Sequence, residues 1–368
     1  MVTRRWQTRR GHGKEDTIGE GIHGSVFRAT CVETGAKVAI KKIRQKAHVQ
    51  DAELRNLLAV GHHPNIVRLH QYYFSSHPEG QYLYLNLVLE HMPTQLEAVS
   101  LFPSDPDELP YGGQRPGPLP PYTAIYVKLY LHQILAALAH LHRQGIVHRD
   151  LSSDQILVDP TSHVIGLCDL GAAKDLAPDG KVLAYSEVAA PEFQAPELIF
   201  APELYWYFTP AIDMWSVGCV MVDILLGRRL GYRLFHTQTY DDSHENPVFA
   251  IYQVLGRPSK QDLRDMEGKG QAAAWRQHFQ RFSPFVVKGK KKAPLAEVFR
   301  GCPAADAIAL DLLERLLVYS PRRRLTAAQA LEHPFFDALR GLEALPDGTL
   351  TPPLAGFAAH RPEAPAEM

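Results

Sequence analysis

The sequence predicts an α+β protein of two lobes, a small antiparallel β-rich N-terminal lobe and a large, mainly helical C-terminal lobe. Between residues 17 and 89, short runs alternate apolar and polar residues and are bounded by turn residues, which is typical of antiparallel strands. Further on, apolar residues recur at spacings of 4, 3, 4 and 3 and predict a buried amphipathic helix: Val127, Leu131, Ile134, Leu138 and Leu141. The stretch from Met214 to Leu226 is almost entirely apolar but too short to cross a bilayer, so it predicts a helix through the middle of the larger lobe.

The N-terminal lobe is predicted to contain five strands and one helix. The helix is expected to begin at Asp51, because an aspartate before an apolar-periodic run is a good N-terminal cap. The predicted strands are Thr17–Gly19, Ser25–Thr30, Lys37–Ile43, Val67–Phe74 and Tyr82–Leu89, and the helix covers Asp51–Val60.

The pattern changes after Pro93. Seven prolines and three glycines fall between Ser100 and Pro121, so this stretch is predicted to be an exposed loop. Further helices are predicted at Ala307–Leu317 and Thr326–Glu332. These signals divide the chain into an N-terminal extension (1–12), the N-terminal lobe (13–92), the C-terminal lobe (93–340) and a C-terminal tail (341–368).

Composition excludes several classes of protein. The chain has 39 Lys and Arg and 40 Asp and Glu, a net charge of −1, so no overall field favours nucleic acid or an anionic membrane. No run of about 18 apolar residues predicts a membrane-spanning helix. Four widely spaced cysteines predict reduced thiols and a cytoplasmic protein. The alternative is an additional nuclear location, because the basic run Lys288–Lys292 resembles a nuclear localisation signal. A monomer is expected by default.

A glycine-rich motif lies between the first two predicted strands. Gly19, Gly21, Gly24 and Val26 fit the pattern G-x-G-x-x-G-x-V, in which backbone amides can approach phosphates because no β-carbon intervenes. An ordinary glycine turn is an equal alternative on this motif alone. A dinucleotide-binding unit does not fit, because that motif opens a helix and a strand is predicted here.

A lysine on the third predicted strand is a candidate phosphate ligand. Strand alternation places Ala39 and Lys41 on the same face as the glycine hairpin. A lone strand lysine is usually a solvated edge charge, but Glu53 follows twelve residues later on the predicted helix. An ion pair between Lys41 and Glu53 would hold the ammonium against the phosphates of a nucleotide.

Four further motifs follow in order along the chain. They are His148-Arg149-Asp150-Leu151, Asp169-Leu170-Gly171, Ala195-Pro196-Glu197 and Asp213-Met214-Trp215. Each motif is common by chance. Their order and spacing, together with Lys41 and the glycine motif, resemble the signature set of the protein kinases.

Longer stretches narrow this resemblance. From about Gly13 to Phe357 the chain is similar to glycogen synthase kinase 3, within the CMGC group of kinases. The similar stretches are Tyr84–Glu90, Ala124–Tyr130, Leu167–Asp169, Ala195–Phe200, Val254–Gly256, Arg324–Thr326 and Leu345–Gly348. The resemblance implies a Ser/Thr kinase that uses ATP and Mg²⁺ and acts on protein substrates.

The resemblance also implies roles for particular residues in a cleft between the lobes. Lys41 would hold the α- and β-phosphates, Asp150 would orient the acceptor hydroxyl and accept its proton, and Asp169 with Gln155 would hold magnesium. The residues expected to surround the nucleotide are Gly19, Gly21, Gly24, Val26, Ala39, Leu89 as gatekeeper, Glu90 and Met92 of the hinge, Leu157 and Cys168.

Other residues are expected to be structural. The resemblance pairs Glu197 with a buried Arg324. It also stacks His148, Leu170 and Leu57 between the lobes, with Asp213 beneath them.

Two positions of the catalytic loop depart from the family. Ser152 stands where the family has a lysine that neutralises the transferring phosphoryl group, and Gln155 stands where it has a metal-binding asparagine. Two hypotheses therefore stay open: an active Ser/Thr kinase, and a pseudokinase that binds nucleotide and partners but transfers phosphate slowly or not at all.

The substrate and regulatory regions depart as well. Lys174 and Arg149 match two of the three family cations that bind a priming phosphate, but Ala52 replaces the third. Tyr185 lies at the distance from Asp169 expected of the family's activation-loop tyrosine, and an ordinary loop tyrosine is an equal alternative. The region Val254–Phe282 corresponds to one that binds scaffold proteins in the family.

Overall fold

A computed structural model describes most of the chain. The described residues are 6–7, 17–21, 24–45, 51–77, 80, 82–96, 123–184, 189–199, 206–226, 235, 247–266, 295–299, 302 and 304–349. Several features predicted from the sequence lie outside these residues: most of the N-terminal extension, the proline-rich stretch 100–121, Tyr185, residues 267–282 of the predicted scaffold-binding region, the basic run 288–292 and the end of the C-terminal tail.

The N-terminal lobe is built on one antiparallel sheet. Its strands are β1 (Trp6–Gln7), β2 (Thr17–Gly21), β3 (Gly24–Cys31), β4 (Lys37–Arg44), β5 (Leu69–Ser76) and β6 (Leu83–Glu90). The spatial order is β1-β3-β4-β6-β5, with β2 paired to β3. The five strands predicted from alternation are therefore present, each within two residues of its predicted start and end.

One helix, α1 (Ala52–Val60), packs on this sheet. The Asp51 carboxylate accepts a hydrogen bond from the Leu54 backbone N–H at 3.1 Å, which satisfies one of the free N–H groups of the first turn. The predicted N-terminal cap is thus confirmed. The helix ends before Gly61, whose φ of 68° is unfavourable for residues with a β-carbon.

The C-terminal lobe is mainly helical. Its helices are α2 (Thr123–Arg143), α3 (Pro196–Ile199), α4 (Ala211–Leu226), α5 (Pro247–Leu255), α6 (Lys260–Met266), α7 (Leu295–Val298), α8 (Ala307–Leu316) and α9 (Ala327–Leu331). Short strands accompany them: β7 (Thr94–Gln95), β8 (Ile146–Val147), β9 (Ile156–Asp159), β10 (Val164–Leu167), β11 (Lys174–Asp175), β12 (Val182–Ala184) and β13 (Trp206–Phe208). The α+β class with two lobes predicted from the sequence is confirmed.

The two helices predicted to be central form the core of this lobe. The apolar stripe of α2, including Ile134 and Leu138, is completely buried, and so are Trp215 and Val220 of α4. Segment Ala124–Arg143 of α2 is long and apolar enough, by length and composition, to cross a membrane. The search for an uninterrupted apolar run did not find this segment, because polar residues interrupt it. Most of the segment is buried inside the lobe, as expected of a core helix.

A buried ion pair joins two segments of this lobe. Glu197 of α3 accepts hydrogen bonds from both terminal nitrogens of Arg324, at 2.7 Å and 3.0 Å. The same guanidinium donates to the carbonyls of Ala211 and Val318. The pair predicted by resemblance is therefore present, and Arg324 links the start of α4 to the segment that precedes α9.

We expect Arg324→Leu to lower the free energy of unfolding by about 3–5 kcal/mol, because it leaves the Glu197 carboxylate buried without a partner. Urea denaturation would measure this loss. Arg340→Leu is the matched control, since Arg340 forms an exposed pair with Asp337 at 2.9 Å and its loss should cost less than about 1 kcal/mol. Equal losses for the two variants would contradict the structural role of the buried pair.

Candidate active site

A buried lysine lies at the meeting point of the two lobes. The Lys41 ammonium is 2.7 Å from the Glu53 carboxylate and 3.1 Å from the Asp169 carboxylate. Strand alternation in β4 turns this side chain inward, and Glu53 lies on the buried face of α1. The ion pair expected from the sequence is therefore present, and Asp169 is a third member of it.

The three charges perturb one another. Burial by itself lowers the pKa of Lys41, but the carboxylates of Glu53 and Asp169 outweigh burial and raise this pKa above its ordinary value. Burial raises the pKa of Glu53 to about 7, against the opposing effect of Lys41, and the charge of Asp169 adds to the rise. Protonation of Glu53 near neutral pH would weaken its hold on the ammonium.

Asp169 has an unusual backbone conformation that aims its carboxylate at Lys41. Its φ of 60° and ψ of 71° are left-handed, a conformation that aspartate tolerates better than most residues. One carboxylate oxygen accepts hydrogen bonds from the Gly171 N–H at 3.2 Å and from Lys41. The turn Leu170–Ala172 that follows is capped by this same carboxylate.

Asn56 is a residue of the site that was not predicted from the sequence. Its side-chain amide, buried in α1, donates to the carbonyls of Leu170 and Ala173 at 2.8 Å and 2.9 Å. These bonds attach the helix that carries Glu53 to the segment that carries Asp169. An asparagine three residues after Glu53, in the interior of a helix where its propensity is poor, was the available signal.

The loop that carries Asp150 is held from below by Asp213. The Asp213 carboxylate accepts hydrogen bonds from the backbone N–H groups of His148 (2.9 Å) and Arg149 (2.8 Å) and contacts the His142 ring at 2.8 Å. Burial alone would raise the pKa of Asp213, but these partners outweigh burial and lower it. Arg149 has a φ of 73°, which turns the backbone sharply just before Asp150. The hydrogen bonds to Asp213 hold this turn and therefore the position of Asp150.

The residues expected around the adenine form one apolar cluster. Ala39 and Leu89 are buried in it, and the partly buried Val26, Met92, Leu157 and Cys168 pack against them. The backbone N–H of Glu90 already donates to the Arg68 carbonyl at 2.9 Å. A nucleotide would therefore have to use the carbonyl of Glu90 rather than its N–H.

The glycine motif forms a hairpin of β2 and β3. Gly21 lies opposite Gly24 in the register, and the two residues of the turn itself lie outside the described residues. A β-carbon on Gly24 would lie 2.2 Å from the Lys42 carbonyl oxygen, so only glycine allows this approach to β4. A strand follows the motif, as the sequence predicted when it excluded a dinucleotide-binding unit.

The catalytic loop provides few ligands for a metal. The Gln155 side-chain oxygen lies 3.7 Å from the Cys168 sulfur, close enough to accept a weak hydrogen bond from the thiol. Ser152 is buried, and the neighbouring Ser153 donates to the Asp223 carboxylate at 2.7 Å, a contact that the sequence did not predict. Among the described residues no group of three or more His, Cys, Asp or Glu could hold a metal ion. Asp169 therefore fits one Mg²⁺ that is also bound by phosphate oxygens, whereas Gln155 fits poorly.

Lys174 lies close enough to Arg149 and to Arg55 of α1 for the charges of both to act on it. Arg149 is only 8% exposed, and its Nε and one terminal nitrogen have no hydrogen-bond partner among the described residues. Burial lowers the pKa of Lys174, and the nearby charges of Arg149 and Arg55 lower it further. The sequence indicated Arg149 and Lys174, but it did not indicate that the charge of Arg55 would act on Lys174.

Comparison with known families agrees with this geometry. The model of the protein kinase domain matches residues 13–336, which is most of the chain. The matched range contains every residue discussed in this site.

We expect nucleotide affinity to fall between pH 8 and pH 6, because protonation of Glu53 weakens its hold on Lys41. Fluorescence titration with a labelled ATP analogue would measure the change, which is about tenfold if the whole contribution of the ion pair is lost. Glu53→Gln should bind the nucleotide weakly at every pH, with a smaller pH dependence. Protonation of the nucleotide phosphates affects both proteins equally, so the difference between them reports on Glu53. Equal pH dependence in the two proteins would show that Glu53 does not control the site.

Proposed function

Since the chain belongs to the protein kinase family, we propose that it transfers the γ-phosphoryl group of ATP to serine or threonine hydroxyls of protein substrates, in the manner of glycogen synthase kinase 3. The observation that supports catalysis most directly is the position of the Lys41 ammonium, at 2.7 Å and 3.1 Å from Glu53 and Asp169. Kinases need this lysine and both carboxylates in place before phosphate can be transferred.

Each charged residue has a separate role in the proposed reaction. Lys41 holds the α- and β-phosphates while Glu53 keeps the ammonium in position. Asp150 orients the acceptor hydroxyl and takes its proton late in the transfer. A bound Mg²⁺ would supply charge neutralisation, with Asp169 as its ligand from the protein.

The second candidate function is that of a pseudokinase that binds nucleotide and partners. Ser152 offers a hydroxyl in place of an ammonium, which removes a positive charge that would face the transferring group. The loss of one such stabilising group typically costs about 10²–10³ in kcat. The Gln155 side-chain oxygen, which a metal would need, also accepts a weak hydrogen bond from the Cys168 thiol at 3.7 Å.

Three neighbouring cations bear on the choice of substrate. We propose that Arg55, Arg149 and Lys174 bind a phosphate group already present on the substrate, with Arg55 in place of the cation that Ala52 lacks. The Nε and one terminal nitrogen of Arg149 support this assignment, because buried N–H groups without hydrogen-bond partners are costly, although the charges of Asp213 and Asp150 already act on the guanidinium. A phosphate dianion would satisfy them with charge-assisted hydrogen bonds.

The location rests on the cysteine pattern, the oligomeric state on the default of a monomer, and the scaffold partner on the resemblance. We propose a cytoplasmic monomer that binds a scaffold protein around residues 254–282. Of this region, residues 254–266 are described, and they include the end of α5 and all of α6.

We expect purified protein with labelled ATP and magnesium to phosphorylate itself or a generic basic substrate, and Asp150→Asn to abolish the signal, because the acceptor proton then has no base. Incorporation of label measures transfer. A wild-type signal no higher than that of Asp150→Asn would favour the pseudokinase.

We also expect Ser152→Lys to raise the transfer rate by about 10²-fold, because it restores the missing cation. Ser153→Lys is the positional control, since it breaks the contact with Asp223 and should not accelerate transfer.

Thermal shift with ATP, with and without magnesium, tests the metal ligands separately. A shift that is independent of magnesium would mean that the site binds nucleotide without the metal.

A further inference from the structure

The N-terminal sheet ends in an open edge at β5. This strand is the last in the spatial order, and no described strand pairs with its other side. The His77 N–H donates to the Tyr82 carbonyl at 2.9 Å, which identifies His77 and Tyr82 as a hydrogen-bonded pair. Such pairs recur at every second residue of an antiparallel ladder, so the N–H and C=O groups of Tyr72, Phe74 and Ser76 point away from the sheet.

This edge lacks the residues that usually protect an edge strand. Leu69–Ser76 contains no lysine, no acid and no proline. Three consecutive aromatic residues are exposed instead, with Tyr72 44% and Phe74 55% accessible. Backbone groups and apolar side chains are therefore both available to an added strand.

A cluster of cations on tyrosine rings lies beside this edge, on the face of the sheet opposite Lys41. We call Lys42, Arg44, His77, Tyr82 and Tyr84 the cation–aromatic cluster. The Lys42 nitrogen lies 4.1 Å from the centre of the Tyr84 ring, and the Arg44 guanidinium lies 3.9 Å from that of Tyr82. The Tyr82 ring also stacks at 4.4 Å on His77, which continues β5.

The two cations of this cluster have no acidic partner among the described residues. Neither Lys42 nor Arg44 has a described carboxylate within ion-pair distance, in contrast to the neighbouring Lys41. The register places Arg44, Tyr84 and Ser75 in one row that leads to the open edge. The Ser75 side chain is small, and its hydroxyl accepts a hydrogen bond from the Asn86 amide at 2.9 Å.

We infer that the β5 edge binds an extended acidic segment of a partner protein by strand addition. An added strand would lie about 4.8 Å from β5 and bond to the outward backbone groups of Tyr72, Phe74 and Ser76. Alternate side chains of that strand would stand on the same face as the cation–aromatic cluster. Glutamate or aspartate at those positions would reach over Ser75 toward Arg44 and Lys42.

Charge favours this occupant over a second copy of the chain. Two copies joined at β5 would place two positive clusters on one continuous face, whereas an acidic strand would neutralise the cluster. Nucleic acid could also contact the cations and aromatic rings, but it has no backbone groups spaced to pair with the outward N–H and C=O groups of a β-strand. Binding at this edge does not require phosphoryl transfer, so it stands apart from the proposed function.

The test is fluorescence anisotropy with the full-length protein and a labelled ten-residue peptide that alternates glutamate and threonine. We expect this peptide to bind at least about tenfold more tightly than a matched lysine–threonine peptide, and to weaken as salt is raised. Phe74→Pro should weaken binding by about tenfold or more, because proline removes an outward N–H but leaves the bonds to β6 in place. Phe74→Ala retains the N–H and is the matched control, and Arg44→Glu should reduce binding of the acidic peptide alone.

Each other result would overturn the proposal. Equal losses for Phe74→Pro and Phe74→Ala would mean that the ring, and not the edge, is recognised. Tighter binding of a thymidine oligonucleotide would indicate a nucleic-acid surface, and a dimer in sedimentation that Phe74→Pro makes monomeric would indicate a second copy. Should Phe74→Pro fail to fold, Ser76→Pro against Ser76→Ala makes the same comparison at the strand end. Asp150→Asn should bind the peptide as the wild type does, which separates this site from catalysis.

Discussion

One buried ammonium holds the site together. Lys41, Glu53 and Asp169 come from a strand, a helix and a tight turn, and none of the three charges would be stable at this depth alone. Glu53 and Asp169 repel each other, so the two carboxylates can share the site only because Lys41 lies between them at 2.7 Å and 3.1 Å. The position of α1 against the catalytic segment therefore depends on this ion pair, and the bonds from Asn56 to Leu170 and Ala173 reinforce it.

A second anchor holds the opposite wall of the cleft. Asp213, at the start of α4, fixes the backbone of His148 and Arg149 from the core of the C-terminal lobe. Ser152 and Gln155 take no part in this anchor, because Asp213 bonds to backbone N–H groups that precede them in the chain. The cleft can therefore keep its shape with either residue substituted, and for this reason the fold is compatible with both an active kinase and a nucleotide-binding pseudokinase.

The sequence predicted local structure and motifs better than contacts between distant segments. Strand alternation, the Asp51 cap and the Lys41–Glu53 pair were predictable because each depends on short-range periodicity or on a motif that recurs in kinases. Arg55 and Asn56 were not, since their partners lie more than a hundred residues away and depend on how α1 is rotated against the lobe. The contact of Gln155 with Cys168 was missed although the two residues are only 13 apart, because the sequence shows the longer side chain but not the thiol that it meets.

Adjacent lysines on β4 divide the sheet into two functional faces. Alternation turns Lys41 toward two carboxylates in the cleft and Lys42 toward a tyrosine ring on the outer face. The inner face is constrained by buried charge, so substitutions there disturb both the fold and the nucleotide site. The outer face has cations without acidic partners among the described residues and an edge without protecting residues, and an unprotected edge does not improve the stability of the isolated chain. An unprotected edge carries a risk of aggregation unless a partner covers it, which agrees with the proposal that a partner strand binds there.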